Sequence, residues 1–137
     1  MNKFLKLHNS DDNGIIAVNK EQITAVMSYY DKSNKLTSKV FLHSGCSIAP
    51  FIVNETPSLI IKPEDTDFIT LHEVENNSVV IVRKTELSVI DTVRLQNIAG
   101  VKTKIYFCGN TEMQPTYVHE SVEKILNFIE GNIELTK

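Results

Sequence analysis

The chain has 137 residues, of which 42% are hydrophobic and 23% charged, and its formal net charge is −3. This composition excludes an intrinsically disordered chain, and the length suffices to bury a core without a metal or a disulfide. The weakly acidic balance excludes strong sequence-independent binding to DNA, so we do not expect nucleic acid as a partner. Two cysteines, Cys46 and Cys108, form no disulfide framework, and we expect reduced thiols in a cytosolic protein.

The sequence contains neither an apolar leader near Met1 nor a window with the roughly 20 apolar residues that a membrane span needs. We therefore expect a soluble, cytoplasmic protein without a membrane partner. If a phage encodes it, the location is the host cytoplasm or the virion.

Short alternating apolar segments in the first half predict a series of strands. Asn13-Gly14 is typical of a tight hairpin turn, and Thr56-Pro57 predicts the start of a helix of about one turn, which Pro63 ends. The predicted strands are Phe4–His8, Ile15–Val18, Ile23–Tyr30, Lys39–His43 and Phe51–Val53.

The second half repeats this order of residues. A shift of 64 places Phe4 on Phe68 and His8 on His72. After one inserted residue, a shift of 65 continues the match; it places Val53 on Val118, Glu55 on Glu120 and Ile60 on Ile125. A period this long indicates duplicated small domains rather than a solenoid. We predict a first unit at 1–63, a linker at 64–67 and a second unit at 68–137.

The second unit has the better helix. Ser121 is a helix cap, and Gly131 is placed to end the helix. An apolar stripe at helical spacing lies between them, formed by Val122, Ile125, Leu126 and Ile129.

These patterns predict a mainly β (α+β) protein. It consists of two homologous antiparallel β-meander units of about four strands, each followed by a helical turn, with an amphipathic C-terminal helix. The units form either one continuous sheet or two packed sheets. Their edge strands need covering, which favours a homo-oligomer or binding by strand addition.

The strand order and the segment Val118-His119-Glu120-Ser121-Val122-Glu123-Lys124-Ile125 resemble the flagellar and swarming motility protein FlbD family. Small bacteriophage and Bacteroidetes proteins are similar. The resemblance covers nearly the whole chain twice, and its motifs are structural. It implies a small non-enzymatic partner protein, and the tandem form favours a phage or mobile-element product over a flagellar role.

Four side chains at equivalent strand ends are weak candidates for a structural zinc site: His8, His72, His43 and Cys108. The alternative is that they recur because the unit recurs, since no closely spaced ligand pair is present. We predict no metal and no cofactor.

Cys108 near His119 and Glu120 is the only arrangement that suggests a nucleophile with a base. It is confined to one unit, and no phosphate loop or dinucleotide fingerprint is present, so we predict that the protein is not an enzyme. The recurrence of Glu55 and Glu120 before a helix start predicts that they support the helix N-terminus.

Tyr29-Tyr30, followed by Lys32 and Lys35, could stack bases on an exposed sheet. The alternative is one tyrosine inward and one outward on a hairpin. From these features we expect a non-enzymatic protein-interaction or assembly module that a phage encodes, either a virion component or a host-directed accessory factor. The alternative function is a nucleic-acid or small-ligand binding module that uses the contact between the units.

Overall fold

The computed structural model describes residues 4–43, 49–75, 77–94, 101–108 and 113–130. These residues form ten strands in three antiparallel sheets, together with two α-helices and two 3-10 turns. The mainly β class is therefore confirmed.

The elements follow one another in the same order twice. The first series is β1 (Phe4–His8), β2 (Ile15–Asn19), a 3-10 turn (Lys20–Gln22), β3 (Ile23–Tyr30), β4 (Leu36–Leu42), β5 (Phe51–Val53) and α1 (Pro57–Ile60). The second is β6 (Phe68–His72), β7 (Val79–Arg83), a 3-10 turn (Lys84–Glu86), β8 (Leu87–Arg94), β9 (Val101–Phe107), β10 (Thr116–Val118) and α2 (Val122–Glu130). Each element of the second series starts 64 or 65 residues after its counterpart, at the shifts that the sequence predicts.

Each unit contains a hairpin and a three-stranded meander rather than one unbroken meander. The hairpins are β1–β2 and β6–β7, and the meanders are β3–β4–β5 and β8–β9–β10. A 3-10 turn separates the second strand of each unit from the third, which redirects the chain so that these two strands do not pair. Single bridges, Asn9 to Val53 and Glu73 to Val118, bring the last strand of each unit to its first.

The Asn-Gly prediction holds in part, because β1 and β2 form the predicted hairpin but the connection from Asn9 to Gly14 is longer than a two-residue turn. Asn13 has a φ of 60° and its counterpart Asn77 a φ of 55°, which is the left-handed region that Asn tolerates better than most residues.

The two units share one continuous sheet of five strands, in the order β5-β4-β3-β7-β6. We call the antiparallel contact between β3 and β7 the seam. Its register places Ala25 opposite Val82, Val26 opposite Ile81 and Met27 opposite Val80.

The hydrophobic core consists of two clusters, and each takes residues from both units across the seam. The first is built mainly on the first unit but contains Phe68 and Ile81. The second is built mainly on the second unit but contains Ala25 and Phe41. Neither cluster is complete without the other unit.

The helices follow their sequence signals in part. The Ser121 side chain caps α2 by accepting a hydrogen bond from the Lys124 backbone at 3.1 Å, and Ile125 is its buried anchor. Pro57 opens α1 as predicted, although the Thr56 side chain makes no capping bond. The predicted stop at Gly131 lies outside the described residues.

Candidate interaction site

An arginine of the second unit donates hydrogen bonds to the backbone of the first unit at the seam. Arg83 ends β7; its Nε donates to the Ile23 carbonyl at 2.9 Å and its Nη2 to the Lys20 carbonyl at 2.6 Å. The guanidinium also lies over the Phe68 ring, 4.5 Å from its centroid. Its planar fork therefore joins the 3-10 turn of the first unit to the hairpin of the second.

A carboxylate of the second unit makes a second polar link across the seam. Glu86 Oε1 accepts from the Thr24 hydroxyl at 2.9 Å and lies 2.9 Å from His43 Nδ1. Thr24 is fully buried, so this bond satisfies a hydroxyl that has no access to water.

The opposite ends of the two units have no such partner. Among the described residues, β2 pairs only with β1, and β8 pairs only with β9. In the repeat, β2 corresponds to β7 and β8 corresponds to β3, the two strands of the seam. We call these free sides of β2 and β8 the open edges.

Three apolar side chains on or next to the open edges are exposed, and the counterparts of two of them in the other unit are buried. Phe4 is 55% exposed, but its counterpart Phe68 is 6% exposed; Val89 is 50% exposed, but Ala25 is completely buried. Ile15, the first residue of β2, is 65% exposed. The missing neighbour, rather than the residue type, explains this exposure.

A histidine–glutamate pair ties the first strand of each unit to its last. The His8 backbone N–H donates to Glu55 Oε1 at 2.9 Å, and its Nδ1 lies 2.6 Å from Oε2. The second unit repeats this contact between His72 and Glu120, at 3.0 and 2.8 Å. These bonds give the two glutamates a different role from the predicted support of a helix N-terminus, since their side chains bind histidines on a neighbouring strand.

Burial alone would raise the pKa of Glu55 and Glu120, but the hydrogen bonds from His8 and His72 outweigh it, so the pKa of each carboxyl lies below its ordinary value of 4.5. A carboxyl with a lowered pKa in the folded state adds stability at pH values above the unfolded pKa. That stability is lost as the pH falls through the folded pKa.

We therefore predict that Glu120→Gln loses less stability than wild type as the pH falls from about 5 to about 2. Urea unfolding at a series of pH values measures the slope of the unfolding free energy against pH. The control is Glu123→Gln, because Glu123 is exposed on α2. Equal acid slopes for wild type and Glu120→Gln would contradict the prediction.

The predicted metal candidates occupy separate contacts. His8 and His72 bind Glu55 and Glu120, His43 faces Glu86, and exposed Cys108 directs its Sγ towards the Glu86 carbonyl at 3.4 Å. Within the described part of the chain, no three His, Cys, Asp or Glu side chains lie together as a metal site requires. Cys46 lies outside the described residues.

Cys108 and His119 belong to different strand ends. Cys108 follows β9, and its backbone N–H donates to the Glu86 carbonyl at 2.8 Å. His119 follows β10, and its backbone N–H donates to the His72 carbonyl at 2.9 Å. Both backbone contacts have counterparts in the first unit, made by His43 and Asn54, so the fold accounts for both positions.

Tyr29 and Tyr30 lie at the end of β3, and Tyr30 lines a cavity between the units. Tyr30 is 57% exposed, and Tyr29 packs beneath Lys39, whose Nζ lies 4.5 Å from the ring centroid. The cavity has a volume of about 490 Å³ and no charged side chain among its described lining residues. Its lining includes Ser28, Tyr30, Leu36 and Ile61 of the first unit and Val79 and Ile81 of the second.

No family model, curated protein or solved structure matches this chain. In the described ranges, none of the helices has the length and apolar character to cross a membrane.

The sequence interpretation missed Arg83 and Glu86 as seam residues. Their counterparts in the first unit are Asn19 and Gln22. The available signal was that these two positions carry different side chains in units that otherwise match. They differ because, among the described residues, one of each pair of equivalent strand edges contacts the other unit and the second does not.

Proposed function

We propose that this chain is a non-enzymatic interaction and assembly module that binds protein by strand addition at its open edges. The observation that carries this proposal is the free side of β2 and of β8, neither of which has a strand partner among the described residues, with exposed Phe4, Ile15 and Val89 on or next to these strands. Free backbone donors and acceptors give a partner strand its affinity, and neighbouring apolar side chains give it its specificity.

A phage origin, as a virion component or a host-directed accessory factor, stays part of this proposal. It is supported by the tandem form and by the resemblance described above. Neither metal chemistry nor catalysis enters the proposed function.

Site-specific photo-crosslinking in the organism of origin tests strand addition. A photoreactive phenylalanine at Val89 places the probe on an open edge. The same probe at Leu59, which is 59% exposed on α1 and belongs to neither β2 nor β8, serves as the control. We expect Val89 to give a defined crosslinked protein that Leu59 does not give. Equal yields from the two positions would contradict the proposal.

The seam cavity favours a second candidate function, the binding of a small neutral ligand. Its size falls in the range of about 300–1,000 Å³ that is usual for ligand sites. Apolar side chains and hydroxyl groups line it, and no charged side chain is among the described lining residues, which favours an uncharged, largely apolar ligand.

We predict that a neutral environment-sensitive dye binds the wild-type chain and that Ser58→Trp abolishes this binding, because an indole at the cavity rim fills part of the space. Dye titration by fluorescence measures it. Glu123→Trp is the matched control, since Glu123 occupies the equivalent position on α2. Unchanged dye affinity in Ser58→Trp would remove this candidate.

A further inference from the structure

We propose that the partner at the open edges is a second copy of this chain, joined head to tail, with β8 of one copy pairing with β2 of the next. This inference rests on the proposed function and names its partner. It follows from three features of the repeat, namely the free strands, the exposed apolar side chains and the register of the seam.

We call this proposed contact, between β8 of one copy and β2 of the next, the joint. The seam predicts its geometry, because the seam pairs β3 of one unit with β7 of the following unit. The corresponding strands are β8 and β2, which lie on the two units of one chain but are unpaired among the described residues. Repeating the same step from unit to unit therefore pairs β8 with β2 of another copy. Such a contact joins two different surfaces, so repeating it builds an open filament or a closed ring, of which the smallest is a dimer that forms the contact twice.

The register of the joint follows from the register of the seam. Adding 64 to the β3 positions and subtracting 64 from the β7 positions converts Ala25 opposite Val82 into Val89 opposite Val18. By the same arithmetic, Val26 opposite Ile81 becomes Ile90 opposite Ala17, and Met27 opposite Val80 becomes Asp91 opposite Ile16. The first two derived pairs are apolar, as a buried pairing requires, whereas the exposed Asp91 places the third pair at the solvent-facing end of the contact.

The exposed side chains fit this arrangement. Four residues cross the seam into the core of the other unit: Phe68, Ile81, Ala25 and Phe41. Their counterparts are Phe4, Ala17, Val89 and Tyr106, of which the first three are exposed and the last is half-buried. A second copy would cover these apolar groups as the seam covers their counterparts.

The joint is weaker than the seam because the strongest polar contacts are missing from it. Asn19 stands where the seam has Arg83, and Gln22 stands where it has Glu86. The joint thus lacks the guanidinium fork and the carboxylate acceptor, and charge-assisted bonds are about twice as strong as neutral ones. Assembly is therefore reversible and concentration-dependent, and it dissociates before the chain unfolds.

Native mass spectrometry and sedimentation over about a hundredfold dilution series test the joint. Wild type is expected to form oligomers that dissociate on dilution. Ile15→Lys blocks β2 and Val89→Lys blocks β8, and each is expected to be monomeric, because an edge lysine opposes strand pairing. Both positions are at least half exposed in the single chain, and circular dichroism verifies that the variants fold.

An equal mixture of Ile15→Lys and Val89→Lys is the decisive sample. The first variant keeps β8 free and the second keeps β2 free, so the mixture is expected to form a one-to-one dimer although neither variant associates alone. Leu59→Lys, the control, keeps the wild-type oligomer, since the equivalent residue of the second unit is already Lys124. Hydrogen exchange of concentrated against diluted wild type should protect β2 and β8.

A wild type that stays monomeric at every concentration overturns the joint, and so does a single variant that dimerises with itself. These results are distinguishable from failure of the broader proposal. If Val89 crosslinks to a different protein while the purified chain stays monomeric, strand addition stands and self-assembly is wrong. If Val89 crosslinks to nothing beyond the Leu59 control, both are wrong.

Discussion

Replacing Phe68 by Ala is expected to lower the free energy of unfolding by about 3–5 kcal/mol. The Phe68 side chain is 6% exposed, belongs to the core cluster of the other unit and lies beneath the Arg83 guanidinium. Its removal leaves a cavity at the seam and takes away the ring on which the arginine rests. Urea unfolding of a dilute sample measures the loss.

The matched control is the same substitution at the equivalent position. Phe4 is 55% exposed on β1, opposite Asn19 of β2, so Phe4→Ala is expected to change the stability of the single chain by no more than about 0.5 kcal/mol. Equal effects of the two substitutions would contradict the view that the seam, and not the repeat position, buries the ring.

The second large effect is expected at Arg83. Arg83→Met keeps much of the apolar stem but removes the donors to two backbone carbonyls, those of Ile23 and Lys20. Bonds from charged groups contribute about 1.5–3 kcal/mol each, and we expect a loss of about 2–4 kcal/mol for the pair, because water replaces part of it at this half-buried site. Thermal and urea unfolding measure the change.

Two further variants show what kind of contact Arg83 makes. Arg83→Lys keeps the charge but loses the planar fork, so its free energy of unfolding should lie between those of Arg83→Met and wild type. Arg94→Met, on the exposed end of β8, is the control for removal of an arginine and should be nearly neutral. Full recovery with lysine would show that charge alone accounts for the contact.

The repeat could be predicted from the sequence because every pair of related strands keeps its spacing. Phe4 and Phe68, or Val53 and Val118, identify equivalent strands whatever their surroundings, and apolar alternation determines which face of each strand is buried. The Ser121 cap depends on neighbouring residues alone, and that prediction is confirmed. The Asn-Gly signal correctly predicts the β1–β2 hairpin and a left-handed Asn13, but not the length of the connection.

The pairing between units could not be predicted, since it depends on contacts far apart in sequence. β3 and β8 occupy the same position in the repeat, yet β3 pairs with β7, whereas β8 pairs only with β9 in the described part of the chain. The same limit applies to the histidines, because His8 and Glu55 are 47 positions apart. The only indication in the sequence that these side chains are in contact is that both residues recur in the second unit. The resemblance to the FlbD family and the phage origin remain predictions.

The sharing of cores across the seam has a consequence for biosynthesis. Residues 4–61, with β3 and its uncovered side, emerge from the ribosome before Phe68 and Ile81, which complete the first core cluster. Until those residues emerge, the nascent chain exposes the apolar strand edge to which its own β7 later pairs. On a crowded polysome, β7 of a neighbouring nascent chain can pair with the same edge. Slow emergence of 62–83 therefore favours exchange of hairpins between chains, and rapid emergence favours the correctly closed single chain.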